Sequence, residues 1–149
     1  MKRSSLLGAV LILLMLSSTF IYYISSLIFQ PKLPEGNIID YELDLNQKNL
    51  VLRQGMTLVE FFYGKNCTYC QEKISFLESI VNNYKDKVFL EKILVNGSES
   101  KLHFIGFNIT ENRIYLQEKF LEGDNITEEN VMGILCEIMI YPPIECAGV

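Results

Sequence analysis

An apolar run, Thr57 to Tyr63, meets two cysteines three residues apart, Cys67 and Cys70, and then a segment of helical periodicity reaching Tyr84. Few folds accommodate that order. Leu58-Val59-Glu60-Phe61-Phe62-Tyr63 is nearly continuous in apolar character, as expected of a strand buried on both faces at the centre of a sheet. After the cysteines, Ile74, Leu77, Ile80, Val81 and Tyr84 recur at helical spacing, which predicts a helix over about 68–84. Val88 to Val95 is a second strand, so the unit is a strand–helix–strand crossover between parallel strands. The cysteines stand at the carboxyl end of its first strand, where open α/β sheets place their sites.

That position has a chemical consequence. Unpaired N–H groups and the helix dipole at a helix start favour negative charge, so the first cysteine there can be a thiolate near neutral pH. Cys70, one turn inward, lies within bonding reach. Lys65 can add positive charge beside the thiolate or can simply be solvated.

The rest of the chain sets the context. Leu6 to Phe29 holds no charged residue over 24 positions and follows Lys2 and Arg3. A bilayer core needs roughly 20 apolar residues in a helix, so residues 1–30 are expected to form a transmembrane anchor, with a cleaved signal segment ending near Ser17-Ser18-Thr19 as the alternative. The preceding positive charge implies a cytoplasmic N-terminus and a C-terminal domain outside the cytoplasm, at the cell membrane as a single-pass protein or secreted after cleavage. Residues 31–36, rich in Pro and Gly, read as a linker, and 37–149 as one domain. From residue 35 onward, 10 Lys and Arg face 18 Asp and Glu, a net of −8 that argues against nucleic acid as a partner. Four Asn-x-Ser/Thr sequons, at Asn66, Asn96, Asn108 and Asn125, accord with export.

Ahead of the crossover, Ile39, Tyr41, Leu43 and Leu45 alternate with polar residues and Leu50-Val51-Leu52 follows, which predicts a β-hairpin. Beyond it, Ser98 is expected to cap a short helix over 98–106. Residues 113–122 read as two antiparallel strands or one bent strand, and Thr127 caps a last helix carrying Val131, Ile134, Leu135, Ile138 and Met139 on one face. The fold class is therefore α/β, a mixed sheet with flanking helices.

This order of elements, with Val59-Glu60-Phe61-Phe62-Tyr63 running into Cys67-Thr68-Tyr69-Cys70, resembles the thioredoxin-like superfamily over about 57–141. The Thr-Tyr dipeptide is closest to the Pro-Tyr of glutaredoxins and differs from the Gly-Pro of thioredoxins and the Pro-His of bacterial periplasmic disulfide oxidases. The resemblance implies a membrane-tethered thiol–disulfide oxidoreductase without a bound cofactor, with Cys67 attacking and Cys70 resolving. Its partners would be cysteine-containing exported proteins or a membrane redox partner. Glu60 resembles the buried carboxylate that assists proton transfer in that superfamily, though it lies seven residues before Cys67, one more than usual. Ile109-Thr110-Glu111-Asn112-Arg113 fits the spacing of the superfamily's cis-proline segment with Arg113 in the proline's place. Tyr69 and Arg113 are then candidate contacts to the substrate groove or thiolate, and the altered groove leaves a non-catalytic binding module as the alternative.

Cys136, on the last helix, and Cys146, beyond Pro142-Pro143, are expected to form a structural disulfide. A zinc site built from the four cysteines is disfavoured by the nine residues between the second pair. His103, with no partner near it in sequence, is expected at the surface.

Overall fold

A computed structural model describes residues 3–28, 32–110 and 113–148, with side chains at 11–24, 32–107 and 113–147. It divides into two units, residues 1–32 and 33–149. The linker expected over 31–36 begins at Pro31, outside the described residues.

The first unit contains helix α1 (Arg3–Ile28). Among the described residues, no helix is long and apolar enough to cross a membrane. Ser17, Ser18 and Thr19 place hydroxyls in the middle of α1, donating to the carbonyls of Leu14, Met15 and Leu16. The expected transmembrane helix, the tether and the single-pass placement at a cell membrane are thereby corrected.

The second unit is built on a five-stranded mixed sheet in the order β1-β3-β2-β4-β5. β1 (Ile38–Ile39) and β2 (Thr57–Gly64) both lie parallel to β3 (Val88–Val95). β4 (Ser100–Thr110) runs antiparallel to β2, and β5 (Arg113–Glu122) antiparallel to β4. The central strand is β2, as its apolar sequence requires.

Alternation along the strands sends successive side chains to opposite faces. Val59 and Phe61 of β2, Leu90 of β3, and Leu102 and Phe104 of β4 face α3 (Cys70–Asn83) and α4 (Glu128–Ile138), burying Ile74, Leu77, Ile80, Val131, Leu135 and Ile138 against them. Thr127 caps α4 by accepting from the Asn130 N–H, and Glu128 and Glu129 in the first turn suit the helix dipole. On the other face, Leu58 and Phe89 pack with Leu43 and with Val51 and Leu52 of α2 (Leu45–Arg53).

Helix α2 replaces the expected hairpin. Asp44 accepts from the N–H groups of Asn46 and Gln47, and the Gln47 side chain returns to the Asp44 N–H. This capping box satisfies the first turn and commits 45–53 to a helix, where Val51 and Leu52 reach the sheet together. Of the stretch read as a hairpin, only Ile38–Ile39 is strand. The helix expected at 98–106 is likewise strand: Leu102 and Phe104 alternate with Lys101 and His103, and β4 joins β3 through residues 96–99 alone. Residues 113–122 form one strand.

Candidate functional site

Strand β2 ends at Gly64, and the chain turns through Lys65 to Tyr69 before α3 begins at Cys70. The turn is held by the Cys67 N–H donating to the Gly64 carbonyl at 3.1 Å. Gly64 is required sterically: a Cβ there would overlap the Gly97 carbonyl and approach the Ser98 nitrogen at 2.9 Å. The loop after β3 is therefore pressed against the end of β2, which brings residues 98–100 beside the cysteines.

Cys67 and Cys70 are joined by a disulfide with a Cα–Cα distance of 5.4 Å. Their environments differ. Cys67 is partly exposed, whereas Cys70 is 3% exposed and packs into the core between the sheet and α3. Tyr69, at the N-cap position, makes no side-chain cap and is 70% exposed. An open cavity of about 490 Å³ adjoins Cys67, lined also by Tyr69, Lys73, Ser98, Ser100 and Glu122. A second of about 450 Å³ lies on the far side of Tyr69 and Lys73, with Phe76 and Ile126 in its wall.

Lys73 fixes the geometry between them. Its ammonium donates to the Ser100 hydroxyl at 3.2 Å and the Gly123 carbonyl at 2.6 Å, tying the first turn of α3 to the start of β4 and the end of β5. Lys65, weighed as a charge beside the thiolate or as simply solvated, is exposed to solvent. Lys73 was missed because its partners lie 27 and 50 residues away. Its place one turn after Cys70 was the only available signal.

Arg113 and Glu60 are not brought to the cysteines. Arg113 opens β5 and pairs with Thr110 at the hairpin end, whereas the cavity-lining Glu122 is nine residues further along, about 30 Å at ~3.4 Å per residue. The segment facing Cys67 is instead 98–100, and no cis peptide occurs among the described residues.

Glu60 points to the face covered by α2, opposite Cys70. There it belongs to a buried row of charge that the sequence reading did not find. Register places Glu91, Glu60 and His103 side by side across β3, β2 and β4. Lys48 of α2 reaches down to Glu60 at 2.6 Å and Glu42 at 2.8 Å, with Glu91 at 3.8 Å. His103, expected at the surface, contacts Glu60 through Nδ1 at 2.6 Å and Glu118 through Nε2 at 3.2 Å, and stacks on Phe120. Burial acts to lower the Lys48 pKa, but its bonds to Glu42 and Glu60 outweigh that and hold it above the ordinary lysine value. Burial raises the Glu91 carboxyl to about 7, against the pull of Lys48 and the Leu43 N–H.

The second cysteine pair, Cys136 and Cys146, forms a disulfide that folds the tail back onto α4. All four cysteines are thus in disulfides. No protein-family profile matches the chain, and no curated protein is significantly similar to it.

Proposed function

We propose that this chain is a thiol–disulfide oxidoreductase of thioredoxin-like fold, exchanging disulfides with cysteine-containing proteins through Cys67 and Cys70. The observation that carries the reading is the unequal burial of a bonded CxxC pair at a strand–helix junction. A substrate thiolate reaches the partly exposed Sγ of Cys67 and attacks it. The Cys67–Cys70 bond breaks, a mixed disulfide forms at Cys67, and Cys70 leaves as a thiolate. A second substrate thiolate then attacks the substrate sulfur of the mixed disulfide and releases Cys67. The substrate gains a disulfide, the pair takes two electrons, and the two thiol protons pass to the sulfurs of the pair or to solvent. Run backwards, the same steps reduce a substrate disulfide, with Cys67 attacking and Cys70 resolving from its protected position.

The helix N-terminus supports thiolate formation at Cys67, and the cavity beside Tyr69 gives room for a substrate segment. The docking-module alternative rested on Arg113 in the groove, and Arg113 stands at the far end of β5. The test is disulfide exchange with a fluorogenic peptide disulfide, together with the alkylation rate of each cysteine in the reduced protein against pH. Cys67 is expected to alkylate faster than Cys70 at and below neutral pH, and Cys67→Ser to abolish exchange. Cys70→Ser should accumulate a mixed disulfide. Absence of exchange combined with equal alkylation of the two cysteines would remove the proposal.

A further inference from the structure

The two cavities that flank Tyr69 are rich in negative charge. Glu99, Glu122 and Asp124 line the one beside Cys67, and Asp124 continues into the second, where Glu72 and Glu128 join it. These carboxylates are not equally available. Glu122 is paired with Lys101 at 3.0 Å, and Glu72 and Glu128 stand in the first turns of α3 and α4, where the helix dipoles offset part of their charge. Glu99 and Asp124 are exposed and have neither an ion-pair nor a hydrogen-bond partner among the described residues. Of the lysines nearby, Lys101 is taken by Glu122, Lys73 directs its ammonium to Ser100 and the Gly123 carbonyl, and Lys65 is exposed in the turn before Cys67. Even with all three counted against the five carboxylates, the surroundings of Cys67 stay net negative.

A second feature favours an organic cation. Tyr69 stands between the cavities with its ring 70% exposed, and an aromatic face attracts positive charge. Phe76 and Ile126 give the second cavity an apolar wall. The methylene stem of a lysine or arginine can lie along such a wall while its charged end reaches a carboxylate. An inorganic cation would leave the wall and the ring unused.

We propose that Glu99 and Asp124 select, as substrates of the exchange at Cys67, cysteine segments flanked by lysine or arginine; this rests on the function proposed above and names its substrate class. A cavity of about 490 Å³ is roughly 10 Å across. A unit charge at about that distance from two carboxylates, in water of about 0.01 M ionic strength, is favoured roughly threefold over a neutral group. At about 1 M salt, where the screening length is ~3 Å, the preference disappears.

The test uses the reduced full chain and disulfide-linked dimers of the capped peptide Gly-X-Cys-Gly, with X as Lys, Gln or Glu. Cys67 attacks one peptide sulfur and frees the first peptide as a thiolate, and Cys70 displaces the second, so two electrons pass from the pair to the peptide disulfide. Dividing each rate by that of dithiothreitol with the same peptide removes the peptides' own reactivity. The ratio between peptides then removes any effect of the acids on Cys67 itself. The Lys peptide should outrun the Gln peptide about threefold at about 0.01 M salt, and Gln should outrun Glu by a similar factor, both ratios falling to about one at about 1 M. Glu99→Gln combined with Asp124→Asn should remove most of the preference. Asp86→Asn combined with Glu145→Gln changes the net charge equally, but near Tyr84 at the opposite end of α3, and should keep it. Loss of the preference in that second pair would assign it to the field of the whole molecule and overturn the role of Glu99 and Asp124. Equal rates for the three peptides would overturn the charge preference and leave the exchange itself standing, whereas no exchange with any of them would overturn both.

Discussion

Replacing Glu91 with Gln should stabilise the protein in neutral and alkaline solution and do little in acid. Glu91 is fully buried; one carboxylate oxygen accepts from the Leu43 N–H at 3.2 Å and the other has no hydrogen-bond partner. Burial raises its pKa from 4.5 to about 7, against the pull of Lys48 and the Leu43 N–H and with a further push from Glu60 and Glu42. A carboxyl with a raised folded pKa is fully accommodated below the unfolded value and loses stability as pH rises through the folded one. Between about pH 4.5 and 7 the unfolded chain has released the proton and the folded chain has kept it, so stability falls by up to ~1.4 kcal/mol per pH unit. Above that window the loss levels off at about 3 kcal/mol. In Glu91→Gln the amide oxygen can keep the Leu43 bond, and no ionisation cost remains. Urea unfolding followed by circular dichroism, with disulfides intact, should give near-equal stabilities for the two proteins at about pH 4 and a gap of roughly 2–3 kcal/mol favouring the variant at about pH 8. A gap that does not change with pH, or a variant less stable at high pH, would refute the reasoning.

Gly64→Ala should destabilise by about 1–3 kcal/mol, because the new methyl group meets the Gly97 backbone and no flexible side chain can yield; the urea midpoint reports it. Since Cys67 hangs from the Gly64 carbonyl, the same variant should also slow exchange. Replacing Cys136 and Cys146 together with Ser opens a loop of sequence separation 10 and should lower stability by up to about 3 kcal/mol in the chain-entropy model. The exchange rate at Cys67 should stay unchanged in that variant, and a loss of exchange would mean that the second pair takes part in the chemistry.

The crossover was legible because every residue needed to read it is local. Leu58–Tyr63 is apolar but for Glu60, α3 shows its buried stripe, and Thr127 announces α4 within three residues. The hairpin reading failed over a similarly local signal. Alternation at Ile39, Tyr41 and Leu43 was extended through Leu45, while Asp44 and Gln47, the two residues that start α2, carry a helix signature of their own. A period of two over so few residues is weak, and satisfaction of the first-turn N–H groups outweighs it. At residues 98–106 the reverse happened: Ser98 looked like a cap, but Leu102 and Phe104 had to face α3 and α4 while His103 faced α2, which only a strand allows.

The polar row beneath α2 was hidden for a deeper reason. Glu60, Glu91 and His103 are 31 and 43 positions apart for the two contacts of Glu60, and nothing in the chain states that these positions share a register. Once β2 is flanked by β3 and β4, alternation decides the rest. Val59 and Phe61 must face α3, so Glu60 must face α2, and its neighbours on either side follow. The same alternation that turns Val59 and Phe61 toward α3 and Cys70 thus carries the expected proton-relay carboxylate to the opposite face. There it is held by Lys48 and His103, so a redox step at Cys67 and Cys70 that needs a base must draw on solvent or on a group lining the cavity beside Cys67.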